Sequence, residues 1–231
     1  MHKLRRVVSN TVISLLGQGV TWISTLLLTM AYGRFLGDVK FGELYFATTF
    51  VLLMGIPIQS GYDQQTTRGV AQEPDQALRY SSNIFLIKVG IWLVIYSLTL
   101  LLAWLLGYSP EVRTLIGISG LTLLSSAIGT TFASLHYALE QVIFPVVGSI
   151  LEKVLSAFLG ILLLRNGASV QVMALVLLGG SIAGGIWQAI WFYQKVGTGF
   201  VVDRRLIREL IRTNIPFLIY GVLSVIYYRI D

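Results

Sequence analysis

Cysteine is absent from this 231-residue chain, which excludes disulfide frameworks and thiolate metal sites and leaves the redox compartment open. Charge is scarce as well: Asp, Glu, Lys and Arg make up 12% of the residues, against about 25% in a soluble domain. With two histidines and no thiol, a transition-metal centre has too few ligands. There is no Gly-x-x-x-x-Gly-Lys phosphate loop, no His-Glu-x-x-His pair and no Gly-x-Ser-x-Gly elbow. No enzyme, metal or cofactor is therefore expected. The net charge of +6 would point to nucleic acid in a soluble protein; in a chain this poor in charge the placement of the basic residues matters more, and no nucleic-acid partner is expected. What the chain does have is carbon. Hydrophobic residues account for 55%, mean hydropathy is +0.76, and the 23 glycines suit helices in lipid. The composition describes an all-α polytopic membrane protein, with the lipid bilayer as its partner.

A helix needs about 20 mostly apolar residues to cross the hydrocarbon. Six segments meet that requirement: Thr11–Ala31, Leu44–Gly61, Ile84–Leu106, Leu115–Tyr137, Phe144–Leu164 and Val170–Phe192. A seventh starts near Ile215 and runs into Asp231, the last residue. These runs are too long and too continuous for barrel strands. The first is also too long for a signal peptide. Basic residues set the expected orientation. Lys3, Arg5, Arg6, Arg68, Arg79, Lys195, Arg204, Arg205, Arg208 and Arg212 gather at one end of the bundle, and Arg34, Lys40, Arg113 and Arg165 at the other. The ten-to-four bias predicts a cytoplasmic N-terminus. Between the sixth and seventh spans, Leu206, Ile207, Leu210 and Ile211 recur at helical spacing among arginines. That pattern predicts an amphipathic helix against the cytoplasmic leaflet, or a plain topology determinant, with the chain restarting at Thr213, Asn214 and Pro216. The domain division that follows is a six-helix lobe at 1–195, a linker helix at 196–214 and the start of a truncated seventh helix at 215–231.

Ionisable groups inside spans cost at least about 2.5–3.5 kcal/mol each at the bilayer centre, so they mark function or internal pairing. Lys88 stands one turn into the third span and is either a snorkelling side chain or a cavity residue. Glu152 and Lys153 sit mid-span in the fifth segment, about 100° apart on the helix, where one of them could pair with Lys88 or with another helix. Glu140, one helical turn beyond His136, reads as a residue capping a turn. Arg229 and Asp231 begin some 14 residues past Ile215, about 20 Å into the bilayer and too deep to snorkel; they are cavity candidates or an internal pair. Gly180-Ser181-Ile182-Ala183-Gly184 and the glycines of the fourth span read as close helix packing. Gly55 and Pro57 predict a break in the second span, either a hinge or a bend.

The stretch AYGRFLGDVKFGELYFA, through Arg34, Leu36, Gly37, Phe41, Gly42 and Leu44, resembles a signature of the polysaccharide flippase branch of the multidrug/oligosaccharidyl-lipid/polysaccharide exporter superfamily. SGYDQQTTRGVAQ resembles a second segment of that branch, through Gly61, Tyr62, Thr67, Arg68, Val70 and Ala71. HYALEQVIFPVVGSILEKV, with Glu140, and IPFLIYGVLSVIYYRID, with Arg229 and Asp231, are similar to two further segments in the expected order. The resemblance implies one six-helix lobe of a two-lobed, V-shaped transporter of 12 to 14 helices in the bacterial or archaeal cytoplasmic membrane. It implies a polyprenyl-diphosphate-linked oligosaccharide as substrate, flipped by alternating access for lipopolysaccharide, O-antigen or related polysaccharide assembly, alongside other polysaccharide-assembly membrane proteins. In that reading Arg229, Asp231, Lys153, Lys88 and Glu152 are the substrate-cavity candidates. Arg34, Arg68, Asp63 and Glu140 are helix-end or gating candidates. A drug/cation antiporter of the same superfamily is the alternative, and a membrane-embedded glycan polymerase or ligase is a more distant one.

Overall fold

The structure, a computed structural model, describes residues 2–229, with side chains described for 8–221, 223 and 224. The described residues are overwhelmingly helical. Helix α1 spans His2–Phe35; α2, α3 and α4 span Gly37–Met54, Ile56–Gln59 and Tyr62–Gln72; α5 spans Ala77–Leu105; α6 spans Pro110–Ala138; α7 spans Ile143–Arg165; α8 spans Val170–Val196; and α9 spans Arg204–Arg229. Among the described residues α1, α5, α6, α7 and α8 are each long and apolar enough to cross a membrane. The run α2–α4 makes a sixth span, bent by 59°. This is the multi-pass, all-α membrane architecture that the composition demands. Exposed Leu, Ile, Val and Phe side chains around the bundle are what a lipid-facing surface requires.

Small residues let the helices approach. A Cβ at Gly184 on α8 would stand 2.7 Å from the Gly148 carbonyl oxygen of α7, so these two backbones touch because neither carries a side chain there. Along α6, the indole N–H of Trp92 on α5 donates to the Gly120 carbonyl at 2.8 Å, and the Trp92 ring stacks on Tyr96 at 4.8 Å. The main apolar core joins α1, α2, α5, α6, α7 and α8 through Leu28, Val51, Ile95, Leu115, Ala157 and Met173.

The break in the second span has two causes in sequence. Pro57 stands at the start of α3 and cannot donate the hydrogen bond that would carry α2 onward. Gly61 then turns the corner into α4 at φ +65°, a backbone conformation that disfavours any residue with a Cβ. At that corner the Asn214 amide of α9 donates to Ser60 Oγ at 3.2 Å.

Two boundaries differ from the sequence reading. Helix α5 begins at Ala77 rather than Ile84, because Ser82 and Asn83 are helical residues whose side chains hold the linker before α9. The Ser82 hydroxyl accepts from Val201 N–H at 3.1 Å, and the Asn83 side chain accepts from Asp203 N–H at 2.8 Å and donates to the Val201 carbonyl at 2.9 Å. Second, the chain does not restart at residues 213–216: α9 is one helix with Pro216 inside it. The proline costs α9 one backbone donor, while the buried Leu206 and Leu210 hold the preceding turns against Tyr62, Ile84 and Ile87.

Candidate functional site

Lys88 lies eleven residues into α5, about 16 Å along the helix axis rather than one turn. It is completely buried. Its ammonium has three protons and meets three acceptors: Asp63 Oδ1 of α4 at 2.7 Å, the Ala127 carbonyl of α6 at 2.9 Å and Thr130 Oγ1 at 3.3 Å. The Asp63 side chain keeps about a quarter of its surface exposed and the Lys88 side chain 1%. Lys88 therefore neither snorkels nor lines a cavity in this structure; it ties the outer arm of the bent second span to α5 and α6. The sequence pointed to Lys88 and Asp63 separately, and only the fold brings them together.

Glu152 and Lys153 pair with each other at 2.8 Å rather than with Lys88. Their Cα–Cβ directions diverge, but the four-carbon lysine stem spans the gap. Lys153 is ten residues from the start of α7 and twelve from its end, about 15 Å and 18 Å, so it stands at mid-depth. Its side chain is 44% exposed and that of Glu152 28%. Helix α7 shows two free faces. One is apolar, with Leu151, Val154, Phe158 and Leu162 exposed. Lys153 and the exposed Ser149 lie on roughly the opposite side, in the gap between α1 and α8.

Sequence reasoning passed over the complement of that face. On α1, Gln18, Thr21, Thr25 and Thr29 form a stripe at spacings of three and four, and each threonine hydroxyl donates to a carbonyl of its own helix at 2.8–2.9 Å. Helices α1 and α7 run parallel and touch where Gly17 meets Val146 and Ile150. At 100° per residue, the α1 stripe and Lys153 fall on the same side of that contact. The signal was the four-residue recurrence of polar residues within a leucine-rich run. A recess of about 170 Å³ lies between the bent second span, α6 and α8, with Thr48, Gln59, Ser119, Thr122 and Ser126 among its lining residues. A larger groove of about 820 Å³ opens between the bend of the second span and α9, beside Gln59, Gln64, Phe217 and Tyr220.

The remaining candidates are dispersed. Arg34 is exposed at the end of α1, its guanidinium 5.6 Å from the centroid of the Phe35 ring. Arg68 is exposed on α4 and forms no ion pair with the described residues. Glu140 occupies the α6–α7 turn at φ +56°, and its N–H donates to the Tyr137 carbonyl at 3.0 Å. His136 is buried beside it, with its ring nitrogens 3.2 Å from Gln141 Oε1 and 3.0 Å from the Gln188 carbonyl oxygen. The Arg229 side chain and Asp231 lie outside the described residues. Among the described residues no three of His, Asp and Glu come together as a metal site.

The bundle matches a solved structure of a MOP superfamily transporter from Pyrococcus furiosus, with a TM-score of 0.65 and 16% sequence identity over 95% of this chain and 52% of that one. At that identity the match is one of fold. This chain spans about half the length of that transporter. The work on that protein describes a binding pocket of reverse polarity and suggests a different function for it. Among curated proteins none matches this sequence significantly. The sequence model of one family, described as polysaccharide biosynthesis protein, aligns with residues 7–231, from the first helix through the bent second span to the end of α9. A match over nearly every residue, on a bundle with the fold of a MOP transporter, makes the chain a member of the polysaccharide biosynthesis protein family.

Proposed function

We propose that this chain forms one lobe of a transporter that moves a polyprenyl-diphosphate-linked oligosaccharide across the cytoplasmic membrane by alternating access, with its N-terminus in the cytoplasm. The family supports polysaccharide assembly as the setting. The observation that carries the reading is the half-exposed Lys153–Glu152 pair at mid-depth, on the side of α7 opposite its apolar face. A diphosphate crossing a low-dielectric slab loses its hydration, and a cation held at that depth offsets the loss. Lys153 is the substrate-facing cation in this proposal, and Glu152 holds it in place between substrates. The α1 stripe of Gln18, Thr21, Thr25 and Thr29 supplies neutral polar surface for sugar hydroxyls. Arg229 and Asp231 enter on sequence and resemblance alone, as a second cation with its orienting carboxylate.

The test is Lys153→Ala in cells that depend on the gene for a surface polysaccharide. The expected result is accumulation of lipid-linked repeat units on the inner leaflet with normal membrane insertion, and recovery of export in Lys153→Arg. Normal export in Lys153→Ala would overturn the assignment.

A further inference from the structure

We propose that the outer face of α9 carrying Arg204, Arg208 and Arg212 is a binding site for the phosphate headgroups of anionic membrane phospholipid. These arginines recur every four residues and so share one face of the helix. Ile207, Ile211 and Ile215 interleave with them, and the six side chains shape an open groove of about 480 Å³. Ile211 and Ile215 are 46% and 51% exposed. None of the three arginines has an ion-pair partner among the described residues; in this they resemble Arg68 and Arg205 and differ from three other cations. Arg79 pairs with Asp203, Lys88 with Asp63, and Lys195 lies 4.5 Å from the centroid of the Phe144 ring. Glu209, the acid of this segment, lies about 100° round the helix from Arg208 and about 60° from Arg212, and forms an ion pair with neither.

Charge complementarity selects the occupant. Three uncompensated guanidiniums beside exposed isoleucine match a molecule with a phosphate at one end and acyl chains at the other. The helix is also fixed before any ligand arrives. Asp203 caps its first turn by accepting from Arg205 and Leu206 N–H at 2.7 and 3.2 Å. Ser82 and Asn83 hold the preceding linker, and Leu206 and Leu210 are buried on the opposite face. A topology signal needs positive charge in a loop but neither spacing nor rigidity. This face has both.

The experiment titrates short-chain phosphatidylglycerol, with phosphatidylcholine as reference, into the detergent-solubilised protein, reading lipid adducts by native mass spectrometry and lipid-induced thermal stabilisation. Each basic residue near an anionic surface contributes roughly a factor of five. Arg208→Gln should therefore weaken binding about 5-fold, and Arg204→Gln/Arg208→Gln/Arg212→Gln on the order of 100-fold. Arg165→Gln, at the other end of the bundle, should leave it unchanged. The triple variant keeps seven of the ten basic residues at its end against four opposite, so orientation is preserved. Binding retained within about 3-fold in the triple variant would overturn the proposal. So would equal binding of phosphatidylcholine, or displacement of phosphatidylglycerol by a tenfold lower concentration of a polyprenyl diphosphate, which would assign the groove to carrier lipid.

Discussion

Removing the two members of the Lys88–Asp63 pair should have unequal costs, and the inequality follows from their exposures. In Asp63→Leu the carboxylate is replaced by carbon that keeps water out, and the ammonium, 1% exposed, retains only the Ala127 carbonyl and the Thr130 hydroxyl. Leaving one partner of a buried pair uncompensated costs about 3–5 kcal/mol. In Lys88→Met the chain length is kept and the charge removed. The carboxylate left behind is 25% exposed and can recruit water, so its cost is about 1–2 kcal/mol. The double variant removes both charges and should recover most of the loss, as neutral replacements of buried pairs do. At about 2–4 °C per kcal/mol for a chain of this size, Asp63→Leu lowers the unfolding midpoint by ~10 °C and Lys88→Met by a few degrees. Thermal unfolding of the purified protein in one detergent, followed by circular dichroism, measures all three. Equal losses in the two single variants, or a double variant no better than Asp63→Leu, would refute the reasoning. The first result would mean that water already reaches Lys88; the second would mean that the pair is not coupled.

Two further predictions bear on the ends of the bent span and the linker. Gly61→Ala should lower stability by more than ~1–2 kcal/mol, because the left-handed backbone alone costs that much with a Cβ and the new atom would stand 2.6 Å from Phe217 Cβ and against Asn214; a midpoint within 2 °C of the parent in the same unfolding assay would contradict the corner geometry. The Asp203 carboxyl is held below the usual carboxylate range by the N–H groups of Arg205 and Leu206 and by Arg79. Because the folded value is depressed, its contribution is present above the unfolded value of about 4 and is lost as pH falls through the lowered folded value. A carbon-13 titration of Asp203 should show a midpoint below that of an unstructured aspartate, and Asp203→Asn should flatten the acid limb of the stability profile; an ordinary midpoint would argue against the cap.

The spans were legible because a run of about 20 apolar residues has one stable solution in lipid, and the kink at Gly55 and Pro57 because proline withholds a donor. Partnerships were not legible. Lys88 meets residues 25, 39 and 42 positions away, and nothing in a single helix announces them. Its depth is understated by a span counted from Ile84, because Ser82 and Asn83 are polar yet helical and spend their polarity on the linker or on carbonyls of their own helix. Pro216 invited a helix boundary that tertiary packing overrides. The Gln18–Thr29 stripe went unnoticed for the opposite reason. Threonine that satisfies its hydroxyl on its own helix is compatible with lipid, and only the position of Lys153 on the neighbouring helix gives the stripe meaning.

Helix α9 is pinned twice on its inner side, at its foot by Arg79 and Asn83 acting on Asp203, and eleven residues further on by Asn214 at the corner of the second span. With Leu206 and Leu210 buried between them against Tyr62, Ile84 and Ile87, these two pins some 17 Å apart hold the helix against rolling as well as against sliding. Phe217 and Tyr220 follow directly after the second pin and stand as one wall of the 820 Å³ groove. The polar corner around Ser60 and Gly61, which the Asn214 amide and the Phe217 side chain meet, therefore sets how wide that groove stands.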